Sequence, residues 1–267
     1  MRSQVAQLAT RAVRYLEAGQ GRPTVLLHAF PLSADQWLPQ LMRPPAGLRL
    51  IAPDLRGFRG AGPAFEADLD APGIDDYGRD ILELMAHLDI RDATVAGLSM
   101  GGYVALALLR LAPARVSGLL LADTRATADT AEGKAARDRL RAVVERDGPA
   151  GVAREMLPKL LGETTRREQP DLEDAVRHLI ESNDAGALAA AIGAMRDRPD
   201  STSILPAVAC PVTIVCGEED VLTPMADSEA MHAAIAGSRL IRVPRVGHLS
   251  NLEAPGVLTD ALATVRR

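Results

Sequence analysis

Apolar positions along this chain follow two alternating rhythms. Unbroken runs at Thr24–Phe30, Leu48–Leu55, Ala93–Leu98, Ser117–Thr124, Pro211–Asp220 and Ser238–Pro244 lack the polar alternation of a half-solvated strand. They predict strands covered on both faces, as in a parallel sheet. Between two of them, Ile74, Tyr77, Ile81, Leu84, Met85 and Leu88 recur at helical spacing. The earlier stretch RAVRYLEAG (11–19) reads as an antiparallel edge strand leading in. Strands alternating with helices imply an α/β fold, a doubly wound and mostly parallel sheet with right-handed crossovers.

The rhythm changes between Arg125 and Asp200, where every segment is helical in pattern. Gly148–Pro149, Pro170 and Asn183–Asp184 supply the stops and starts between them. Strand patterns resume near Pro206. The expected organisation is a core of residues 1–124 and 201–267, with residues 125–200 inserted as helices between two core strands.

Composition narrows the partners more than the fold. Of 267 residues, 47% are hydrophobic and 24% charged, enough for one large buried core. A net charge of -5, with no basic block, argues against nucleic acid and anionic membrane. Arg2, Arg11 and Arg14 precede no apolar signal segment, and no apolar run is long enough to span a bilayer, so a cytoplasmic protein is expected. The two cysteines, Cys210 and Cys216, flank and end one predicted strand and read as buried hydrophobes, not as a disulfide or metal site.

Candidate chemistry centres on Gly97-Leu98-Ser99-Met100-Gly101, a G-x-S-x-G pattern between a predicted strand and an apolar helix. A reversal that sharp strains the serine backbone and leaves no room for flanking side chains, while lifting the hydroxyl above the sheet edge. A serine nucleophile needs a base, an acid to orient it and donors for a developing oxyanion. His248, in a loop after the last predicted strand, is the candidate base; His87, His178 and His232 lie in helical segments and read as surface residues. For the acid, the order Ser, Asp, His favours Asp220 at the end of CGEED, with Asp123 at the end of LLLAD as its rival. The candidate oxyanion donors are the amides of Met100, directly after the serine, and of Phe30, in the loop after the first buried strand. His28 in that loop is expected to be structural.

With these residues in place, the chain resembles the α/β-hydrolase fold superfamily over essentially its whole length. HAFPLSADQW, DLRGF, GLSMGG, GEEDVLTP and GHLSNLEAP occur in the order such enzymes place them. It is similar to bacterial carboxylesterases, 3-oxoadipate enol-lactonases and cofactor-free haloperoxidase or perhydrolase-like esterases. The resemblance implies Ser99, Asp220 and His248 as a catalytic triad, Phe30 and Met100 as the oxyanion hole, and residues 125–200 as a lid. It implies hydrolysis of a small ester or lactone by two-step acyl transfer, with no metal or organic cofactor. Perhydrolysis and carbon–carbon hydrolysis would use the same triad, and a ligand-binding receptor would have no chemical need of it. Ala29 departs from the family pattern, which has glycine after this histidine; a positive φ there would strain the loop. With aromatic residues only 3% of the chain and an Ala- and Leu-rich insertion, the pocket is expected to be apolar, walled in part by Met156, Leu160, Leu188 and Met195.

Overall fold

The computed structural model describes residues 1–9, 11–60 and 72–265; positions 61–71 and 266–267 of the expected core lie outside the described residues. The described strands are β1 (Arg2–Gln7), β2 (Ala12–Gly19), β3 (Arg22–Leu27), β4 (Leu48–Pro53), β5 (Ala93–Leu98), β6 (Val116–Ala122), β7 (Val212–Gly217) and β8 (Arg239–Val243). They form one sheet in the order β1-β2-β4-β3-β5-β6-β7-β8. β1 and β2 pair antiparallel with each other and β2 pairs antiparallel with β4; every other pairing is parallel. The central strands β5, β6 and β7 are buried almost throughout, which is why their sequences carry no alternation.

One strand escapes the hydrophobic pattern. RAVRYLEAG is antiparallel as expected, but β1 lies outside it and forms the true edge. The sequence of β1, RSQVAQ, buries only Ala6, and a one-residue apolar signal is indistinguishable from a loop.

The helices, in chain order, are α1 (Leu38–Met42), α2 (Ile74–His87), α3 (Met100–Leu111), α4 (Ala131–Leu160), α5 (Glu163–Glu168), α6 (Pro170–Glu181), α7 (Ala185–Arg196), α8 (Met225–Ala234), α9 (Ser250–Glu253) and α10 (Pro255–Thr264). In α2 the buried residues include Ile74, Tyr77, Ile81, Leu84 and Met85, the stripe its spacing predicts. α3 is buried from Met100 to Leu109, so its sequence is apolar all round.

Helices α4 to α7 fill the interval between β6 and β7. α4 breaks where Gly148 takes φ +64°, α6 begins at Pro170, and Asp184 caps α7 by accepting from the Gly186 and Ala187 amides. These are the breaks the sequence marks. α4 packs on α6 and α7, so the inserted helices share a core that includes Val144, Val152, Val176, Ile180 and Ile192.

Candidate active site

Ser99 sits between β5 and α3 with φ +54° and ψ -114°, a conformation that side chains other than glycine rarely adopt. The strain is held from several sides: the Ser99 amide donates to the Ala122 carbonyl at 2.9 Å, and the Thr124 hydroxyl donates to the Ser99 carbonyl at 2.8 Å. A Cβ on Gly97 would collide with the Gly101 carbonyl, and one on Gly101 with the Leu27 carbonyl of β3. Glycine at these positions lets the turn close against two strands.

His248 follows β8 and is 1% exposed, and its Nε2 lies 2.8 Å from Ser99 Oγ. Its Nδ1 lies 2.8 Å from Oδ2 of Asp220, which follows β7. The Asp220 carboxylate is fixed in turn. Oδ1 accepts from the Leu222 and Thr223 amides at 2.8 and 3.0 Å, and Oδ2 accepts from the Thr223 hydroxyl at 2.5 Å. Burial works against both charges, but the pairing outweighs it. It holds Asp220 below the usual carboxylate range and, with Glu253 adding negative potential, raises the His248 pKa above 6.5.

Asp123 is fully buried nearby, but its partners lie elsewhere. Its Oδ1 accepts from the Gly217 amide at 2.9 Å, and its Oδ2 accepts from the Ser250 hydroxyl in a short contact. Burial and the neighbouring Asp220 charge push its pKa well above the normal carboxylate value. Asp123 thus ties the ends of β6 and β7 to the segment after His248. Asp220 is the acid in contact with the imidazole.

Among the described residues, no loop hydrogen bond takes the Phe30 or the Met100 amide. The loop that carries Phe30 is set by His28, which burial lowers to a pKa of about 4 and which is therefore neutral. Its partners fix the tautomer: Nδ1–H donates to the Ala29 carbonyl and Nε2 accepts from the Leu55 amide, both at 3.0 Å. Ala29 is absent from the positive-φ residues, so the alanine imposes no left-handed strain on the loop. His87, His178 and His232 are exposed.

Two buried clusters supporting the site carry little sequence signal. The Ala29 amide donates to Gln36 Oε1; Gln36 and Gln40 in turn bond Asn251, joining the Phe30 loop to the His248 segment. Glu253 accepts from the Gly247 and Leu249 amides on either side of His248 at 2.9 and 3.0 Å, and from the Gly162 amide at the end of the α4 segment at 2.9 Å. Next to Asp220, Glu219 accepts from the Thr164 amide and hydroxyl at 2.8 and 2.5 Å. The inserted helices are therefore anchored beside both Asp220 and His248. A signal for Glu253 existed in GHLSNLEAP, where a glutamate ends a four-residue helix and can reach back to the amides before it.

The donor atoms of Asp123, Cys216 and Asp220 lie within 4.8 Å of one another and are all buried, the one metal-like grouping among the described residues. Burial pushes the Cys216 thiol up to about 12, and both carboxylates are committed to the bonds above. The group reads as a hydrogen-bonded frame, and its protonated thiol suits a metal ion poorly.

A cavity of about 480 Å³ opens onto Ser99, His248 and Phe30. Met156 and Met195 line it, whereas Leu160 and Leu188 do not and are buried within the inserted helices. The expected apolar character holds only in part. Arg125, Arg137, Arg139 and Lys159 line the same space, with Asp129 and Glu155 against them.

Residues 24–261 match the alpha/beta hydrolase family model. The chain belongs to the alpha/beta hydrolase family. Among relatives, this hydrolase is 32% identical to the dihydrolipoyllysine-residue acetyltransferase component of the acetoin cleaving system of Pseudomonas putida, across 94% of this chain but only 65% of that longer protein. It is 26% identical to 3-oxoadipate enol-lactonase 2 of Acinetobacter baylyi, across 96% of this chain and 93% of that one. Among solved structures, it superimposes on a thermophilic esterase from Thermogutta terrifontis, determined with malate bound, with a TM-score of 0.89 and 34% identity over 98% of this chain and 97% of that one. Among the described residues, no helix of the hydrolase is long and apolar enough to cross a membrane.

Proposed function

We propose that this alpha/beta hydrolase cleaves a small ester or lactone through a covalent acyl-enzyme on Ser99. The observation that carries the reading is the continuous chain of bonds from Ser99 Oγ through both nitrogens of His248 to Asp220. Nε2 takes the Ser99 proton as Oγ attacks the scissile carbonyl, and Asp220 stabilises the imidazolium that forms. The tetrahedral oxyanion receives the Phe30 and Met100 amides, the latter at the positive end of α3. Collapse breaks the carbonyl–oxygen bond to the alcohol, which leaves with the proton from Nε2. Water then attacks the acyl-enzyme, giving its proton to His248, and releases the acid and free Ser99. In this reading the helices of residues 125–200 are a lid whose underside, including Met156 and Met195, shapes selection of the acyl group.

The raised His248 pKa suits a strong base at neutral to alkaline pH. The likeness to an esterase and an enol-lactonase supports the bond type. A fluorophosphonate should label one serine, Ser99, in native protein. Ser99→Ala should abolish labelling and reduce ester turnover by about a thousandfold or more. Labelling at another residue, or near-native turnover by folded Ser99→Ala protein, would refute the mechanism.

A further inference from the structure

The charge around the cavity runs against that of the molecule. A chain with net charge -5 surrounds the cavity that opens onto Ser99 with four cationic side chains and two carboxylates. Asp129, one of the two, is already bound by Arg137 at 3.1 Å and by Arg198 at 2.7 Å. Arg139 and Lys159 make no ion pair among the described residues, and Glu155 is the remaining counter-charge.

Arg125 differs from the other three. It follows β6 by only a few residues, and its side chain is 26% exposed. One edge of its guanidinium is pinned: Nη2 donates to the Leu222 carbonyl in a short contact and faces Asp227 at 3.2 Å. Leu222 lies two residues beyond Asp220, so the pinned guanidinium stands beside the site. Nε is buried and has no acceptor among the described residues. A pinned guanidinium with a buried, unmatched N–H is costly until an acceptor arrives, and a carboxylate oxygen suits that donor in charge.

We infer that the cavity selects esters or lactones carrying a free carboxylate several carbons from the scissile carbonyl, received by Arg125 with Arg139 and Lys159 at the mouth. The inference rests on Ser99 acting as the nucleophile, as proposed above. A neutral ester would reach the same serine but leave the buried Arg125 N–H unmatched. An exposed pair of cations at the mouth also raises the local concentration of an anionic substrate, an effect that salt screens.

The test compares two substrates that differ in one terminal group, monomethyl glutarate and methyl pentanoate, by acid release in a pH-stat. Native protein should favour the carboxylate ester. That preference, as a ratio of kcat/KM values, should fall about tenfold or more in Arg125→Gln and by a smaller factor in Arg139→Ala/Lys159→Ala. The native ratio should also fall on going from low to high potassium chloride. The double variant changes exposed positions only, so it remains informative should Arg125→Gln fail to fold. Calorimetric titration with glutarate gives a second readout that needs no turnover: native protein should bind it and the folded variants should bind it more weakly. A native preference for methyl pentanoate would overturn the inference, as would a ratio and a glutarate affinity unchanged by the substitutions. Fluorophosphonate labelling of Ser99 in the same samples reports on the nucleophile separately. Loss of labelling in native protein would count against the mechanism, and an unchanged ratio in labelled protein against the carboxylate site alone.

Discussion

Replacing Glu253 with glutamine removes a charge and one acceptor at the point where the inserted helices meet the His248 loop. In the native carboxylate, Oε2 takes the Gly162 and Gly247 amides and Oε1 takes the Leu249 amide, in a residue 7% exposed. Glutamine keeps one oxygen. Its amino group must face at least one backbone N–H, a donor against a donor, leaving a buried amide unsatisfied at a cost of about 1–3 kcal/mol. The bonds that survive lose their charge assistance, roughly 1 kcal/mol each, while the buried charge no longer has to be desolvated. The net expectation is a loss of about 2–4 kcal/mol. For a chain of this size that lowers Tm by roughly 5–15 °C. Calorimetric or circular-dichroism melts of native and Glu253→Gln protein measure it directly. The same substitution removes one source of negative potential at His248, so the acid limb of kcat/KM should move to lower pH. A Tm within about 2 °C of native, together with an unmoved acid limb, would refute the view that this carboxylate holds the loop and biases the histidine.

Asp220→Asn should lower kcat by about a thousandfold to ten-thousandfold, whereas Asp123→Asn, whose carboxyl meets Gly217 and Ser250 but not the imidazole, should cost about tenfold; steady-state kinetics on one ester decides between them. In native protein kcat/KM should rise with pH through a pKa above 6.5, because the base must be neutral and Asp220 favours its charged form. The sign for stability is opposite: the contribution of the His248–Asp220 pair is complete below the unfolded histidine value near pH 6.5 and is lost as pH rises through the higher folded value, which melts across that range would show. Met156→Ala and Met195→Ala should reorder kcat/KM across a series of acyl-chain lengths, since both line the cavity. Leu160→Ala and Leu188→Ala should instead cost about 2–5 kcal/mol of stability, measured by denaturant unfolding, and leave that order unchanged.

The parts legible in the sequence are those whose chemistry is local. Gly97, Ser99 and Gly101 form a turn decided within five residues, and the Gly148, Pro170 and Asp184 breaks depend on backbone preferences of single positions. Asp220 and Asp123 look alike in sequence, because both follow buried strands and both stay buried. Only the order β6-β7-β8 and the turn at Leu222–Thr223 determine which carboxylate meets the imidazole. The Gln36–Gln40–Asn251 cluster spans more than 200 positions and gives no periodic signal. The cationic wall carries no sequence signal for a different reason. Arg137, Arg139 and Lys159 occupy a helix rich in charge, where a side chain facing a cavity looks the same as one facing water.

The strand order also determines when the site comes into being. Ser99 follows β5, Asp220 follows β7 and His248 follows β8, so the bond between His248 and Ser99 closes a span of 149 residues. On the ribosome, the serine turn and the inserted helices can form while the imidazole is still unsynthesised. The His248 segment follows the last of the described strands, a five-residue edge strand that buries only Val243. On heating, β8 has a partner on one side only and can leave β7 first, but the His248 segment is still held through Glu253 to Gly162 and through Asn251 to Gln36 and Gln40. Loss of activity should therefore follow the loss of those ties, and not the fraying of β8 alone.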